Sequence, residues 1–272
     1  ILGNLPVAAN MIGEEGLFGV LYRAGISNEL FPLLIFLGVG AMLDLRPLLS
    51  QPVMFVMGAL AHLGIFATLV IAILLGFNLA EATAIGMIGA IDGPTVIYVN
   101  SKLGSLFVTP GLAAAIAVTA YSYMSLVPII QPPLMRLFTT KKERAIRMEY
   151  TPRPVSRMTV ILFPILITAV AGIFLPEAAP LIATLMLGNL IKESEVVPGL
   201  VETSKNAITN TATIFLGITI GSTMQAATFL NTGTLRVLIL GLIAFALNTI
   251  GGLLFGKLVC LLSGRKINPL VG

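Results

Sequence analysis

The feature that most constrains this fold is a series of long uncharged stretches. They occupy residues 47–80, 103–135, 158–176, 206–235 and 237–256. A helix that crosses a bilayer needs about 20 predominantly apolar residues. Soluble chains carry about one quarter charged residues, whereas only 10% of these 272 residues are charged. The sequence therefore predicts an all-α polytopic membrane protein that is embedded in a lipid bilayer.

The positive charges indicate how the chain is oriented. Of the 16 Lys and Arg residues, 7 fall between Arg136 and Arg157. A basic loop between membrane spans marks the cytoplasmic side. Nucleic-acid binding is a poor alternative, because apolar spans flank this loop and Pro152 and Pro154 interrupt it. We expect a multi-pass membrane protein with no nucleic-acid partner.

Two similar segments occur in this sequence. Residues 35–42 read IFLGVGAM and residues 214–224 read IFLGITIGSTM; each precedes a long uncharged span and then a polar residue close to a proline, Asp92 or Asn268. Order and spacing together predict an internal repeat. We expect a single transmembrane domain, residues 1–272. It comprises a first repeat at about 1–100, connecting helices with the basic loop at 101–205, and a second, incomplete repeat at about 206–272.

Asp92 is the only charge between Ala82 and Ser101, in the segment GAIDGPTVIYV. Glycine and proline follow it, and these are the two worst helix formers, so a helix should break beside the carboxylate. If this segment crosses the membrane fully, the helix at 30–43 is parallel to its repeat partner at 206–224. If it forms a re-entrant hairpin, which we favour, the two are antiparallel and Arg46 faces the cytoplasm. Non-helical backbone at membrane depth then implies a surrounding cavity.

The oxygens around this break suit a small cation. Broken helices of inverted repeats meet near the midplane in many ion-coupled transporters, and Asp92, Thr95 and Asn268 would supply oxygen ligands. A buried charge kept for structure alone needs a cationic neighbour. Lys102 or Arg46 could be that neighbour. The alternatives for Asp92 are therefore a structural ion pair or a position at a shallow membrane interface.

Two tyrosines lie inside an uncharged span, in Tyr121-Ser122-Tyr123. Pro128, Pro132 and Pro133 follow, and they predict that this helix unwinds. The phenols either bond between helices or contribute to proton transfer or an ion site.

Five segments resemble one family, the membrane β subunit of the biotin-dependent, sodium-ion-translocating decarboxylases. They are GAIDGPT at 89–95, AYSYMSLVPIIQPP at 120–133, GNLIKES at 188–194, TIFLGITIG at 213–221 and KINPLVG at 266–272. The resemblance implies inverted repeats with broken or re-entrant helices that carry the ion site. It covers nearly the whole chain.

The resemblance also implies a pump. A biotin-carrying α subunit, the carboxyltransferase, would deliver carboxybiotin. This β subunit would decarboxylate it while moving Na⁺ outward across a bacterial or archaeal cytoplasmic membrane. A small single-span γ subunit and further copies of β would complete the assembly. The choice of carboxylic substrate would belong to another subunit.

The same resemblance implies site residues. The family's ion-site aspartate matches Asp92, its functional tyrosine matches Tyr123, and its asparagine and glycine match Asn268 and Gly272. Together with Thr95 these would form the Na⁺ site. Na⁺ would displace a proton from Asp92, Tyr123 would help relay that proton, and the loss of CO₂ from carboxybiotin would consume it. The family pattern continues past Gly272, so we expect the second ion-site repeat to be incomplete.

Two other functions remain open from the residues. A stand-alone ion-coupled secondary transporter of organic anions would use the same repeat and Asp92 without biotin. A membrane anchor would carry the ion-site residues without using them.

Overall fold

The computed structural model describes residues 11, 13, 15–51, 53–148, 154–224, 226 and 231–271. Helices and their connections account for this part of the chain, and it contains no strand. The α-helices are α1 (Leu17–Leu21), α2 (Leu30–Met42), α3 (Arg46–Ser50), α4 (Val53–Ala61), α5 (Leu63–Leu74), α6 (Leu79–Gly86), α7 (Gly93–Leu103), α8 (Leu112–Phe138), α9 (Lys141–Arg144), α10 (Arg157–Phe174), α11 (Ala179–Ser194), α12 (Pro198–Glu202), α13 (Thr209–Ser222) and α14 (Thr232–Leu262). Short π-helices span Tyr22–Ser27 and Thr203–Ile208, and 3₁₀ turns span Met87–Ala90, Gly104–Leu106 and Pro269–Val271.

The long apolar helices confirm an all-α membrane protein. Within the described ranges, α8, α10 and α14 are each long and apolar enough to cross a bilayer. The helical segments Leu17–Ser27 and Leu30–Met42 form a fourth apolar pair, bent by 56° at a short break. This bend was not predicted from the sequence. It is consistent with a broken span or a re-entrant loop.

The chain divides into two compact units. The first comprises Ile1–Gln51 and Pro152–Ser222, and the second comprises Pro52–Thr151 and Thr223–Gly272. The two IFLG helices, α2 and α13, therefore belong to the first unit, whereas Asp92 and Asn268 belong to the second. The limits predicted for the two repeats stay a prediction, and each unit draws on both of them.

In the first unit, α2 packs between α11 and α13. The Phe31 and Phe215 rings stack with centroids 6.0 Å apart, and Gly38 lies against Thr209. Residues nearer the end of α2 therefore contact residues nearer the start of α13, so these helices are antiparallel. The sequence analysis predicts this antiparallel arrangement if the Asp92 segment forms a re-entrant hairpin.

Glycines allow α2 and α11 to approach closely. A Cβ on Gly40 would overlap the Leu185 carbonyl oxygen, and one on Gly188 would overlap the Leu37 carbonyl oxygen. Small residues at such crossings allow two helix backbones to approach in a membrane, where packing replaces the hydrophobic drive. Past the end of α2, the Asn189 amide donates to the Leu43 carbonyl oxygen at 3.0 Å. Further along both segments, Arg46 lies beside Glu193. Because both contacts follow the same chain order, the two helices run parallel.

In the second unit, α14 is the central helix. It packs along α8, α5 and α4 and against the turn Met87–Ala90. Phe245 of α14 and Ile85, Ile88, Leu112 and Ile116 from its neighbours are fully buried. This core holds the ends of α6 and α7 near the Asp92 break.

One expectation about α8 is wrong. Pro128, Pro132 and Pro133 lie inside a continuous α-helix rather than in an unwound segment. Each proline removes one backbone donor, but neighbouring groups in a membrane protein can satisfy the freed carbonyls.

The close approach of α2 and α11 makes a testable prediction. Gly188→Val places a branched side chain on the Leu37 carbonyl oxygen, so we expect destabilisation by about 1–3 kcal/mol, the usual cost of overpacking. Thermal unfolding of the purified protein in detergent measures it. Gly172→Val on α10 is the matched control, because nothing lies within 4 Å of a Cβ at that glycine. Equal melting temperatures for both variants would contradict this packing.

Candidate cation site

The predicted helix break is present at Asp92. Helix α6 ends at Gly86 and a 3₁₀ turn continues to Ala90. Ile91 then adopts a left-handed conformation with φ 60° and ψ 31°, which is strained for a β-branched residue. Asp92 is extended, and Gly93 and Pro94 open α7. Strain of this kind concentrates at functional sites, and here it places Asp92 directly before the first turn of α7.

Among the residues that the structure describes, Thr95 alone is hydrogen-bonded to the Asp92 carboxylate. The Thr95 hydroxyl donates to its Oδ2. No Lys or Arg in the described ranges forms an ion pair with Asp92. Arg46, one of the two cations proposed as its neighbour, bonds Glu193 instead. Lys102, the other, lies over the Tyr98 ring at 5.6 Å from the centroid. The described residues therefore do not show the ion-pair alternative, and the cation site at Asp92 and Thr95 stays a prediction.

A second acid of the same unit shows how this fold satisfies a structural carboxylate. Glu81 is 3% exposed, and it forms a capping box with Asn78 at the start of α6. Its Oε1 also accepts from the backbone N–H groups of Val108 at 3.0 Å and Thr109 at 2.7 Å. Three backbone donors from two segments thus surround Glu81, whereas the described donors to Asp92 all belong to Thr95.

The first unit contains a further buried acid, with a different solution. The Arg46 guanidinium bonds Glu193 Oε2 at 2.5 Å, and the Lys192 ammonium lies 3.3 Å from Oε1. Two cations thus neutralise Glu193. Sequence analysis did not identify this cluster, because Arg46 and Glu193 are 147 positions apart.

Tyr121 lies directly beside the break. A Cβ built on Gly93 would sit 2.6 Å from the Tyr121 Cζ, so the phenol ring rests on the first residue of α7. Its hydroxyl is buried and finds no hydrogen-bond partner in the described structure.

Tyr123, the tyrosine expected from the resemblance, contacts another helix. Its hydroxyl donates to the Leu238 carbonyl oxygen of α14 at 2.6 Å. This bond joins α8 to α14, and no described hydrogen bond joins Tyr123 to Asp92.

Asn268 is held by the basic loop. Its amide nitrogen donates to the carbonyl oxygens of Arg144 at 3.2 Å and Ile146 at 3.0 Å, and its oxygen accepts from the Leu270 N–H at 3.0 Å. These bonds connect Asn268 to the loop after α8 and not to Asp92. Gly272, the other residue expected from the second repeat, lies outside the described residues.

Comparison with known proteins identifies the family. The profile for the Na⁺-transporting oxaloacetate decarboxylase beta subunit matches residues 1–272. This chain belongs to that family. It is therefore a membrane subunit of a sodium-transporting decarboxylase.

Relatives with three different substrates match this β subunit. The methylmalonyl-CoA decarboxylase subunit beta of Veillonella parvula is 53% identical over 272 residues, which are 100% of this chain and 70% of the relative. The glutaconyl-CoA decarboxylase subunit beta of Acidaminococcus fermentans is 50% identical, with the same shares. The oxaloacetate decarboxylase beta chain of Klebsiella pneumoniae is 46% identical over 98% of this chain and 61% of its own length. The family resemblance is confirmed, and it favours the pump over a stand-alone transporter.

The basic loop of this β subunit has one pH-sensitive element. Glu143 caps α9 by accepting from the Thr140 N–H at 2.6 Å, and it lies 3.4 Å from the Lys257 ammonium. Hydrogen bonds from Thr140, mainly from its backbone N–H, and the Lys257 charge hold the pKa of Glu143 below its ordinary value of 4.5. A carboxylate with a lowered pKa contributes stability above that ordinary value and loses it as the pH falls through the folded pKa.

We therefore expect the cap at Thr140 to be intact at neutral pH and to open as the pH falls below 4.5. Hydrogen exchange of the Thr140 amide, corrected for the intrinsic rate at each pH, measures this opening. Glu143→Gln keeps an acceptor but cannot be protonated in this range, so its protection factor should not depend on pH. Equal protection at pH 7 and pH 3 in the unsubstituted protein would contradict the role of Glu143.

Proposed function

We propose that Asp92 binds the transported Na⁺, and that the ion takes the place of a proton on its carboxylate. The observation that carries this proposal is the contrast among the three acids. Glu81 has backbone donors from two segments, Glu193 has two cations, and Asp92 has only the neutral groups of Thr95 among the described residues. A charge in apolar surroundings that lacks such compensation either takes up a proton or binds a cation.

The Thr95 hydroxyl is the second oxygen of this proposed site. It lies in the first turn of α7 and donates a hydrogen bond to Asp92 Oδ2. A hydroxyl keeps its lone pairs for a cation while its proton points elsewhere. Carbonyl oxygens freed at the break would add further ligands, as in other discontinuous membrane helices.

Asn268 and Gly272 are proposed to complete the site from the second repeat. Asn268 now donates both amide hydrogens to the basic loop. We propose that the Asn268 oxygen contacts a cation at Asp92 only after the bonds to Arg144 and Ile146 have broken. The basic loop would then be released when Asn268 joins the site, which links the cytoplasmic surface to ion binding.

The proton that Na⁺ displaces would serve the decarboxylation. Biotin, carried by a partner subunit, supplies a labile N–COO⁻ bond; when this bond breaks, CO₂ leaves and the biotin nitrogen takes up a proton. We propose that this proton comes from Asp92. Tyr123 would help relay it, because its oxygen still accepts a hydrogen bond while donating to Leu238.

The proposed partners follow from this scheme. A biotin-carrying carboxyltransferase α subunit presents carboxybiotin at the cytoplasmic face, and a single-span γ subunit and further β copies complete the complex. The relatives act on oxaloacetate, methylmalonyl-CoA and glutaconyl-CoA by their names. We propose that the substrate of this complex is a carboxylic acid or CoA thioester of the same class.

Chemical labelling tests direct ion binding. We expect Na⁺ at 100 times its dissociation constant to slow carbodiimide modification of Asp92 by about 100-fold. At that concentration only about one site in 100 has no ion bound and can react. Mass spectrometry of the labelled peptide measures it, with choline at equal ionic strength for comparison. Asp44, half-exposed beside Arg46, should be modified equally with both salts.

The Asp92→Asn variant provides the second arm. It should assemble, and it should lose the Na⁺-stimulated release of CO₂ from carboxybiotin, while Asp44→Asn retains it. Equal labelling of Asp92 in Na⁺ and choline would contradict direct binding.

A further inference from the structure

The Tyr121 hydroxyl is a buried polar group that the proposed function does not use. It makes no hydrogen bond in the described part of the protein. Burying a hydroxyl without a hydrogen bond costs free energy, and most buried polar side-chain atoms in folded proteins have a partner. Phenylalanine would fill the same space without this cost. The hydroxyl therefore indicates that a partner is bound there at some stage.

The Tyr121 ring lies against Gly93, the residue after Asp92. Tyr121 Cζ, which bears the hydroxyl, would lie 2.6 Å from a Cβ on Gly93, and both Cε atoms would lie at 2.9 Å. Only a glycine leaves room for this ring. Gly93 directly follows Asp92 and begins α7. The unused hydroxyl thus faces the part of the unit that contains the unpaired carboxylate.

We propose that Tyr121 is a further residue of the Asp92 cation site. When no cation is bound, the hydroxyl has no hydrogen-bond partner among the described residues. When a cation is bound, the hydroxyl rotates and its oxygen contacts the ion beside Asp92 and Thr95. This assignment rests on the proposed function of Asp92 and extends it by one ligand.

A phenol suits this role because its oxygen keeps lone pairs for a cation. At the break itself, Asp92 and Thr95 provide a carboxylate and one hydroxyl. The Tyr121 oxygen adds a ligand from a second helix. Tyr123 does not duplicate it, because the Tyr123 proton is donated to Leu238.

Sodium titration of the assembled complex tests the proposal. Tyr121→Phe should raise the half-saturating Na⁺ concentration by about tenfold, the ratio that corresponds to about 1.4 kcal/mol. The protection of Asp92 from carbodiimide should shift to higher Na⁺ by the same factor. The melting temperature without Na⁺ should stay the same or rise, because the variant removes an unsatisfied hydroxyl.

Tyr98→Phe is the matched control, because Tyr98 is a buried tyrosine of α7 that faces Lys102. Its half-saturating Na⁺ concentration should be unchanged. Gly93→Ala is a second variant that keeps the hydroxyl but displaces the ring, and it should also weaken Na⁺ binding. Unchanged Na⁺ affinity in both Tyr121→Phe and Gly93→Ala would overturn the role of Tyr121. If Na⁺ fails to protect Asp92 even in the unsubstituted complex, the proposed function fails first.

Discussion

The structure around the site depends on one break in helical conformation, at Ile91 and Asp92. Ile91 and Asp92 leave the helical conformation between a 3₁₀ turn and α7, in an apolar environment where backbone groups must find partners within the protein. Gly93 and Pro94 make the restart of the helix feasible, since the missing proline N–H costs nothing in the first turn. The interruption exposes carbonyls, sets the Asp92 carboxylate at a helix start, and admits the Tyr121 ring. Closing it into a regular helix would remove all three features.

The three buried or partly buried acids separate structural roles from functional ones. Glu81 is fixed by Asn78 at the start of its own helix and by the Val108 and Thr109 N–H groups before α8, so its charge joins the start of α6 to that connection. Glu193 is fixed by Arg46 and Lys192, so its charge joins the end of α2 to α11. Removing either acid would leave its partners unsatisfied. Asp92 has no comparable set among the described residues, and this contrast is what supports the ion site proposed for it.

Local signals in the sequence predict much of this fold. Uncharged length predicts α8, α10 and α14, and the Asp-Gly-Pro triplet predicts the break, because each signal resides in consecutive residues. Contacts between distant residues were beyond such reasoning: the pairing of Arg46 with Glu193 spans the two segments of the first unit. The prolines of α8 were misread as an unwound segment, because their cost depends on neighbours that satisfy the freed carbonyls. The 56° bend before α2 has no comparable local signal.

The two tyrosines show most clearly where sequence reasoning stops. Residues two apart on an α-helix differ by about 200° in direction, so Tyr121 and Tyr123 must face different neighbours, and the motif alone does not say which one faces Asp92. In the structure Tyr121 lies on α7 and Tyr123 bonds α14. Helix α8 therefore touches the start of α7 with one phenol and anchors itself to the central helix with the other. The anchoring bond fixes the rotation of α8 about its axis, and that rotation is what keeps the Tyr121 hydroxyl beside the break.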